Sequence, residues 1–227
     1  MKIHTFYFNP FRECTYLISN DSGDTVIVDC GCYGMSECER LKKYIESNGL
    51  KIRHHLLTHA HLDHVFGARF VYDQYGVLPT LSEKDARLYQ RVEAQSAAFD
   101  IPMTDEPLKE YVSLESLIQT TPDTYEEYIR MLDTDWYVLH TPGHSEGSVC
   151  YMLKQQKGVP TPVLFSGDTL FQGGIGRTDL PQGDMMKMLG SLETLRRLPD
   201  ETVIYPGHGY CTSIAEEKRY NPYFSSY

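Results

Sequence analysis

The chain of 227 residues is long enough for one large domain with a substantial core, and its 41% apolar and 23% charged residues are those of an ordinary globular protein. A formal charge of −10 with no basic stripe, the longest Lys/Arg runs being pairs such as Lys42-Lys43 and Arg196-Arg197, excludes a nucleic-acid surface, which needs clustered cations. No run of roughly 18 apolar residues exists, which excludes a transmembrane helix, and residues 1–7 are too few and too polar to read as a signal peptide.

In chain order, residues 2–8, 14–19 and 25–30 are rich in β-branched and aromatic side chains and predict strands, with Asn20-Asp21-Ser22-Gly23 as a tight turn. Helical periodicity runs through Cys38, Leu41, Tyr44 and Ile45, predicting a helix over 36–47 with Ser36 as its cap and Gly49 as its stop. A strand over 52–58 leads into His59, and a helix over 65–75 ends at Gly76. Another helix is expected over 82–99, with Asp85 three residues after Ser82 as a weak capping signal. Residues 100–134 carry Pro102, Pro107, Pro122, many acids and little periodicity, and read as an inserted segment. Strands follow over 135–141, 148–154 and 163–166, then a helix over 185–198, a strand over 203–205 and a final helix over 212–220. Strands and helices alternating in this way predict a layered α/β fold, and with no repeat or low-complexity tract a single domain over 1–227 is the simplest account.

Six cysteines, Cys14, Cys30, Cys32, Cys38, Cys150 and Cys211, fall mostly in strand-like runs, where a reduced thiol serves as a small hydrophobe. This favours a reducing, cytoplasmic setting. Cys30-Gly31-Cys32 is one residue too tight for a CxxC redox motif and reads as structural.

The segment Thr58-His59-Ala60-His61-Leu62-Asp63-His64 places three imidazoles and a carboxylate where a strand gives way to a helix. Side chains alternate along an extended backbone, so His59 and His61 project the same way and can grip one ion. Asp63 and His64 lie past the turn and can face a second. Both donor types suit zinc, iron or manganese. His144 in Thr141-Pro142-Gly143-His144, Asp168 in Ser166-Gly167-Asp168 and His208 in Tyr205-Pro206-Gly207-His208-Gly209 each follow a predicted strand end. In layered α/β folds such ends gather at one sheet edge. Seven ligands serve two ions if one of them bridges, and Asp168, with two carboxylate oxygens, is the natural bridge. His4, His54, His55 and His140 sit within strands without Gly-rich turns and read as core or surface residues.

These residues, in this order, resemble the metallo-β-lactamase fold superfamily over nearly the whole chain, its HxHxDH signature standing at positions 59–64. Within it, Ser166 to Phe171, Gly174 to Asp179, Tyr205 to Gly209 and the ending Asn221-Pro222-Tyr223-Phe224 are similar to the short, glyoxalase II-like (hydroxyacylglutathione hydrolase-like) hydrolases. The resemblance implies a four-layer αββα sandwich with the metals at one edge. It also implies that His59, His61 and His144 hold one ion and Asp63, His64 and His208 the other, with Asp168 between them. Two divalent ions are expected as cofactors, zinc first and iron or manganese as alternatives. The expected reaction is attack of a metal-activated hydroxide on an activated carbonyl, a thioester foremost, with Asp63 and Asp168 orienting the nucleophile and Asp29 and Thr58 supporting the imidazoles. The longer glyoxalase II enzymes hold glutathione with a C-terminal helical extension for which this chain has no counterpart after His208, so glutathione binding is not carried over. Arg177 reads as an anchor for the Asp179 turn and Cys211 as a packing residue. The competing activity on this scaffold is that of the persulfide dioxygenases, which use one iron held by two His and one Asp. The expected partner is a small-molecule substrate, with no nucleic acid and no membrane. Oligomeric state is not legible, although Tyr220, Tyr223 and Tyr227 offer a surface for a partner or a cover for the chain's own core.

Overall fold

The computed structural model describes residues 1–225, which divide into two compact units, one over 1–114 and the other from 115 onward. Tyr227 lies outside the described residues, and Tyr220 and Tyr223 are exposed. No helix among the described residues is long and apolar enough to cross a membrane.

The first unit is built on a six-stranded mixed sheet in sequence order: β1 (Lys2–Phe8), β2 (Glu13–Ser19), β3 (Asp24–Val28), β4 (Lys51–Leu56), β5 (Pro79–Leu81) and β6 (Val112–Ser113). The first three pair antiparallel. Asn20 Oδ1 accepts from the amides of Ser22 and Asp24 and Gly23 takes φ +81°, which is the turn chemistry the sequence promised. From β3 onward the pairing is parallel, with Val28 beside Leu56 and Leu56 beside Thr80. The C-terminal ends of β3, β4 and β5 therefore share an edge, and Asp29, residues 58–64 and Asp85 follow from it. Helix α1 (Gly34–Ser47) buries Leu41 and Ile45 against Phe6, Leu17, Ile27 and Val71.

Two helices depart from the sequence expectation. That over 65–75 is split into α2 (Leu62–Val65) and α3 (Ala68–Tyr75), which ends at Gly76 with φ +69°. The break has a visible cause: the Gly67 amide donates to Cys30 O, while Asp63 O, its helical partner, accepts from Asn9 Nδ2. The helix over 82–99 is a 3-10 turn at Glu83–Asp85 followed by α4 (Ala86–Tyr89) and α5 (Val92–Phe99). Here Gln95 Nε2 takes the Leu88 carbonyl that a continuous helix would have used, and Asp85 turns inward instead of capping.

The second unit holds a seven-stranded sheet made from β7 (Gln119–Thr120), β8 (Glu127–Met131), β9 (Thr134–His140), β10 (Val149–Leu153), β11 (Val163–Gly167), β14 (Val203–Pro206) and β15 (Thr212–Ser213). A two-stranded ribbon, β12 (Leu170–Phe171) with β13 (Gly174–Ile175), lies between β11 and β14 in sequence. β9, β10 and β11 pair antiparallel and β11 runs parallel to β14, so β9, β11 and β14 all point the same way. His144, Asp168 and His208 each follow one of those three ends. Helices α6 (Met185–Arg196) and α7 (Ile214–Tyr220) cover the sheet through Met188, Leu192, Leu195, Ile214 and their neighbours. The final helix starts two residues later than its periodicity suggests, because Thr212 and Ser213 pair with β14 and Ser213 then caps α7 through Glu216 N. Residues 100–134 are not bare loop: they carry β6, β7 and β8.

Candidate metal centre

In the first unit, residues 58–64 are clamped from several sides. Asp29 Oδ1 accepts from Thr58 N at 2.7 Å and Oδ2 from Thr58 Oγ1 at 2.8 Å, while His64 Nδ1 lies 2.9 Å from Oδ2. His59 Nδ1 is 3.1 Å from Thr58 Oγ1. With these Nδ1 atoms held, both rings are oriented to ligate through Nε2. His64 Nε2 stands 3.6 Å from Asp63 Oδ2, and the His59 ring centroid is 4.9 Å from that of His61 and 4.2 Å from that of His64. The four predicted donors of this unit are therefore brought together, with His59, His61 and His64 buried. Asp29 and Thr58 take the supporting positions expected of them.

Sequence reasoning did not find the outer ring of this cluster. Ala60 N donates to buried Asp85 Oδ2; Gln95 accepts from Leu62 N and donates to Ala60 O. Asn9 Nδ2 bonds both Gly31 O and Asp63 O. Gly31 is obligatory, since a Cβ there would overlap Glu13 Oε2, Asp63 O and Asn9 Nδ2. Glu13 is fully buried beneath His64 and Asp29, accepts from Thr15 Oγ1, and burial pushes its carboxyl well above the usual range. The one available signal was Glu13 itself, an acid at the head of a strand otherwise reading as buried.

In the second unit His144 sits on a loop fixed by α6: Asp184 N donates to Gly143 O and Ser191 Oγ to Pro142 O. Gly143 takes φ +146°, and a Cβ there would stand 2.5 Å from Met188 Cα, so helix and loop pack backbone to backbone. His144 Nδ1 lies 2.7 Å from Arg177 O. A carbonyl only accepts, so Nδ1 carries the proton and Nε2 presents its lone pair. That Nε2 is 3.4 Å from Asp168 Oδ2, and His208 Nε2 is 3.6 Å from the same oxygen. Asp168 Oδ2 thus stands between two imidazoles. Gly176 makes this possible, because a Cβ there would collide with the Asp168 carbonyl.

The remaining expectations divide. Arg177 makes a two-pronged pair with Asp179, at 2.7 Å on each prong, which draws the Asp179 carboxyl down to about 2; it anchors its turn. His55 is buried without a hydrogen-bond partner on either ring nitrogen and its pKa falls to about 3; His140 pairs with Glu127 at 2.9 Å; neither joins a donor cluster among the described residues. His4 stacks on Tyr44. Cys14, Cys30, Cys32 and Cys150 are buried, but Cys211, in the connection between β14 and β15, is exposed, contrary to its expected packing role.

Set against known proteins, residues 10–208 match the family model of the metallo-beta-lactamase superfamily. The hydroxyacylglutathione hydrolase GloC of Haemophilus influenzae is 35% identical across 100% of this chain and 99% of its own length. Among solved structures, BLEG-1 B3 metallo-beta-lactamase aligns with a TM-score of 0.82 at 31% identity, covering 99% of this chain and 100% of that one. TTHA1623 in a di-iron-bound form aligns with a TM-score of 0.79 at 31% identity, covering 97% and 99%. The two mixed sheets flanked by helices, the histidine and aspartate clusters at their strand ends and these full-length likenesses agree: the chain belongs to the metallo-β-lactamase superfamily, has its fold, and is a metallo-hydrolase of that superfamily.

Proposed function

We propose that the seven side chains His59, His61, Asp63, His64, His144, Asp168 and His208 act as one dinuclear centre within a single functional domain, and that the enzyme hydrolyses thioesters. The observation that carries this reading is Asp168 Oδ2, held within 3.4 and 3.6 Å of two imidazole nitrogens of its own unit. The donor set fits divalent metal: His59, His64 and His144 have Nδ1 engaged by hydroxyl, carboxylate or carbonyl, which is how ligating imidazoles are fixed. We assign His59, His61 and His144 to one ion, Asp63, His64 and His208 to the other, and Asp168 to both. Imidazole and carboxylate admit zinc, iron or manganese, and zinc is our first choice.

When bound, such ions supply Lewis acidity, making water acidic enough to furnish a nucleophile near neutral pH and stabilising negative charge on the attacked carbonyl. The protein's own part is orientation. Asp63 accepts a hydrogen bond from the attacking water, and Asp168 fixes the spacing of the imidazoles around it. Asp29 and the Arg177 carbonyl hold His64 and His144 against rotation. The relative named as a hydroxyacylglutathione hydrolase supports a thioester substrate, since a thiol ester is the bond that enzyme's name describes. All six cysteines are free, which fits a reducing cytoplasm.

The test is metal analysis of purified protein alongside assays on a thioester panel, β-lactams, and glutathione persulfide with oxygen uptake. The reading predicts about two metal ions per chain and turnover of thioesters above the other classes. His61→Ala and Asp168→Ala should each lower turnover by more than the roughly 10–100-fold that losing a supporting partner costs, with the fold retained. One iron per chain with oxygen consumption would replace this reading with the dioxygenase one, and near-normal thioester turnover in either variant would remove its residue from the mechanism.

A further inference from the structure

Three thiols meet at the start of α1, away from any role in the proposed hydrolysis. Cys30 and Cys32 sulfurs are 3.7 Å apart, and Cys38 Sγ is 3.4 Å from Cys32 Sγ. Cys30 and Cys32 are buried, whereas Cys38, one turn into α1, is only partly covered. The three are graded in depth, so a reagent arriving from solvent meets Cys38 first and Cys32 directly behind it.

The surroundings hold this geometry. Glu37 accepts from the amides of Tyr33 and Asn9, at 2.8 and 2.9 Å, which ties the first turn of α1 to the segment that carries Cys32. Gly67 seats the inner pair: a Cβ there would stand 2.5 Å from both Cys30 Sγ and Cys32 Sγ. The contact with Cys32 lowers the Cys38 thiol pKa, while Cys30 and Cys38 together push Cys32 up. Exposure sets the order: Cys38, partly open to solvent, is the sulfur that meets the oxidant, and buried Cys32 at 3.4 Å is the one behind it. Glu37, Glu39 and Asp105 oppose charge at Cys38. Those carboxylates repel an anionic disulfide and leave a small neutral oxidant as the reagent that fits.

We propose that Cys38 and Cys32 are a peroxide-oxidised thiol pair, in which Cys38 meets the oxidant and Cys32 resolves it into an intramolecular disulfide. The Cys38 thiolate attacks one oxygen of hydrogen peroxide, the O–O bond breaks, and hydroxide leaves and takes a proton to become water. Cys32 then attacks the Cys38 sulfenic sulfur, the S–O bond breaks, and the departing oxygen takes the Cys32 proton and leaves as a second water. Two thiols are oxidised and one peroxide is reduced to two waters. The sulfurs need to close from 3.4 Å to the roughly 2.05 Å of a disulfide. A thiol reductant reverses the step.

The experiment treats the reduced, full-length protein with a few equivalents of hydrogen peroxide, blocks remaining thiols under denaturing conditions, and maps the cysteines by mass spectrometry after cleavage at Glu37. The expected result is a loss of two hydrogens, a linked pair of peptides carrying Cys32 and Cys38, and protection of both from alkylation before exposed Cys211. Cys38→Ser should abolish the link, and Cys30→Ser should leave it. In Cys32→Ser the sulfenic acid should persist at Cys38, where dimedone captures it. Oxidised glutathione at the same dose should form the link several-fold more slowly. Wild-type protein that keeps all six thiols alkylatable, or a link that forms through Cys211 or survives Cys38→Ser, overturns the proposal. The wild-type peptide map decides the matter even if a serine variant fails to fold.

Discussion

At Asp29 a carboxylate meets two Thr58 donors and the His64 ring while its own backbone sits at φ +54°, a left-handed conformation that costs a non-glycine residue of the order of 1 kcal/mol. The side-chain bonds and the amide bond to Leu56 O at 2.8 Å hold it there. Asp29→Asn keeps the volume but replaces one acceptor oxygen with a donor, so His64 or Thr58 loses its partner. We expect metal affinity, read by chelator competition, to fall by roughly 10–100-fold; an unchanged affinity would show that His64 needs no such support. His55 is a different residue-scale case, a buried imidazole with no partner and a pKa of about 3. The unfolded chain binds its proton near 6.5 and the folded one does not, so the proton-linked cost of this group is small above pH 6.5 and grows as pH falls from 6.5 towards 3. The stability advantage of His55→Leu over the wild type should widen by up to a few kcal/mol between pH 7 and pH 4. Denaturant melts at the two pH values check this, and parallel pH profiles would show that His55 is not kept neutral.

Among the elements, α6 carries two glycines with opposite demands around it. Gly143 precedes it and packs its bare Cα against Met188, whereas Gly190 lies inside the helix with open space where a Cβ would stand. Gly190→Ala should stabilise the protein by about 0.5–1 kcal/mol, as removal of a helical glycine does. Gly143→Ala should destabilise it by about 1–3 kcal/mol and displace His144, lowering turnover as well. Thermal melts of the two variants test the pair, and equal shifts would mean that loop and helix are not in backbone contact. The helices also show what the sequence could and could not reveal. Periodicity and turn residues placed β1, the Asn20 to Gly23 turn, α1 and α6 to within a few positions, because those elements answer to local rules. Gly67 leaves its helix because Cys30 O, 37 positions away in sequence, takes its amide, and Gln95 is drawn to Ala60 O, 35 positions away, while also bonding the Leu88 carbonyl at the break. Nothing local announces such a claim. The same asymmetry holds at the metal centre: the ligand types stood out by spacing, while Asn9, Asp85 and Gln95, whose parts are assigned by tertiary contact, did not.

On the scale of the molecule, each unit supplies a sheet edge followed by candidate metal-ligand side chains: His59, His61, Asp63 and His64 in the first, His144, Asp168 and His208 in the second. In the dinuclear centre proposed above, each ion would draw ligands from both sets. Metal content of the full-length protein and three variants tests that most directly. Wild type should hold about two ions per chain, and His59→Ala and His144→Ala should each hold about one. Because both residues are assigned to the same ion, the double variant should still hold about one, with the second ion kept by Asp63, His64, His208 and Asp168. A double variant that loses both ions, each single having lost a different one, would mean that the two units bind metal separately and that no shared centre exists.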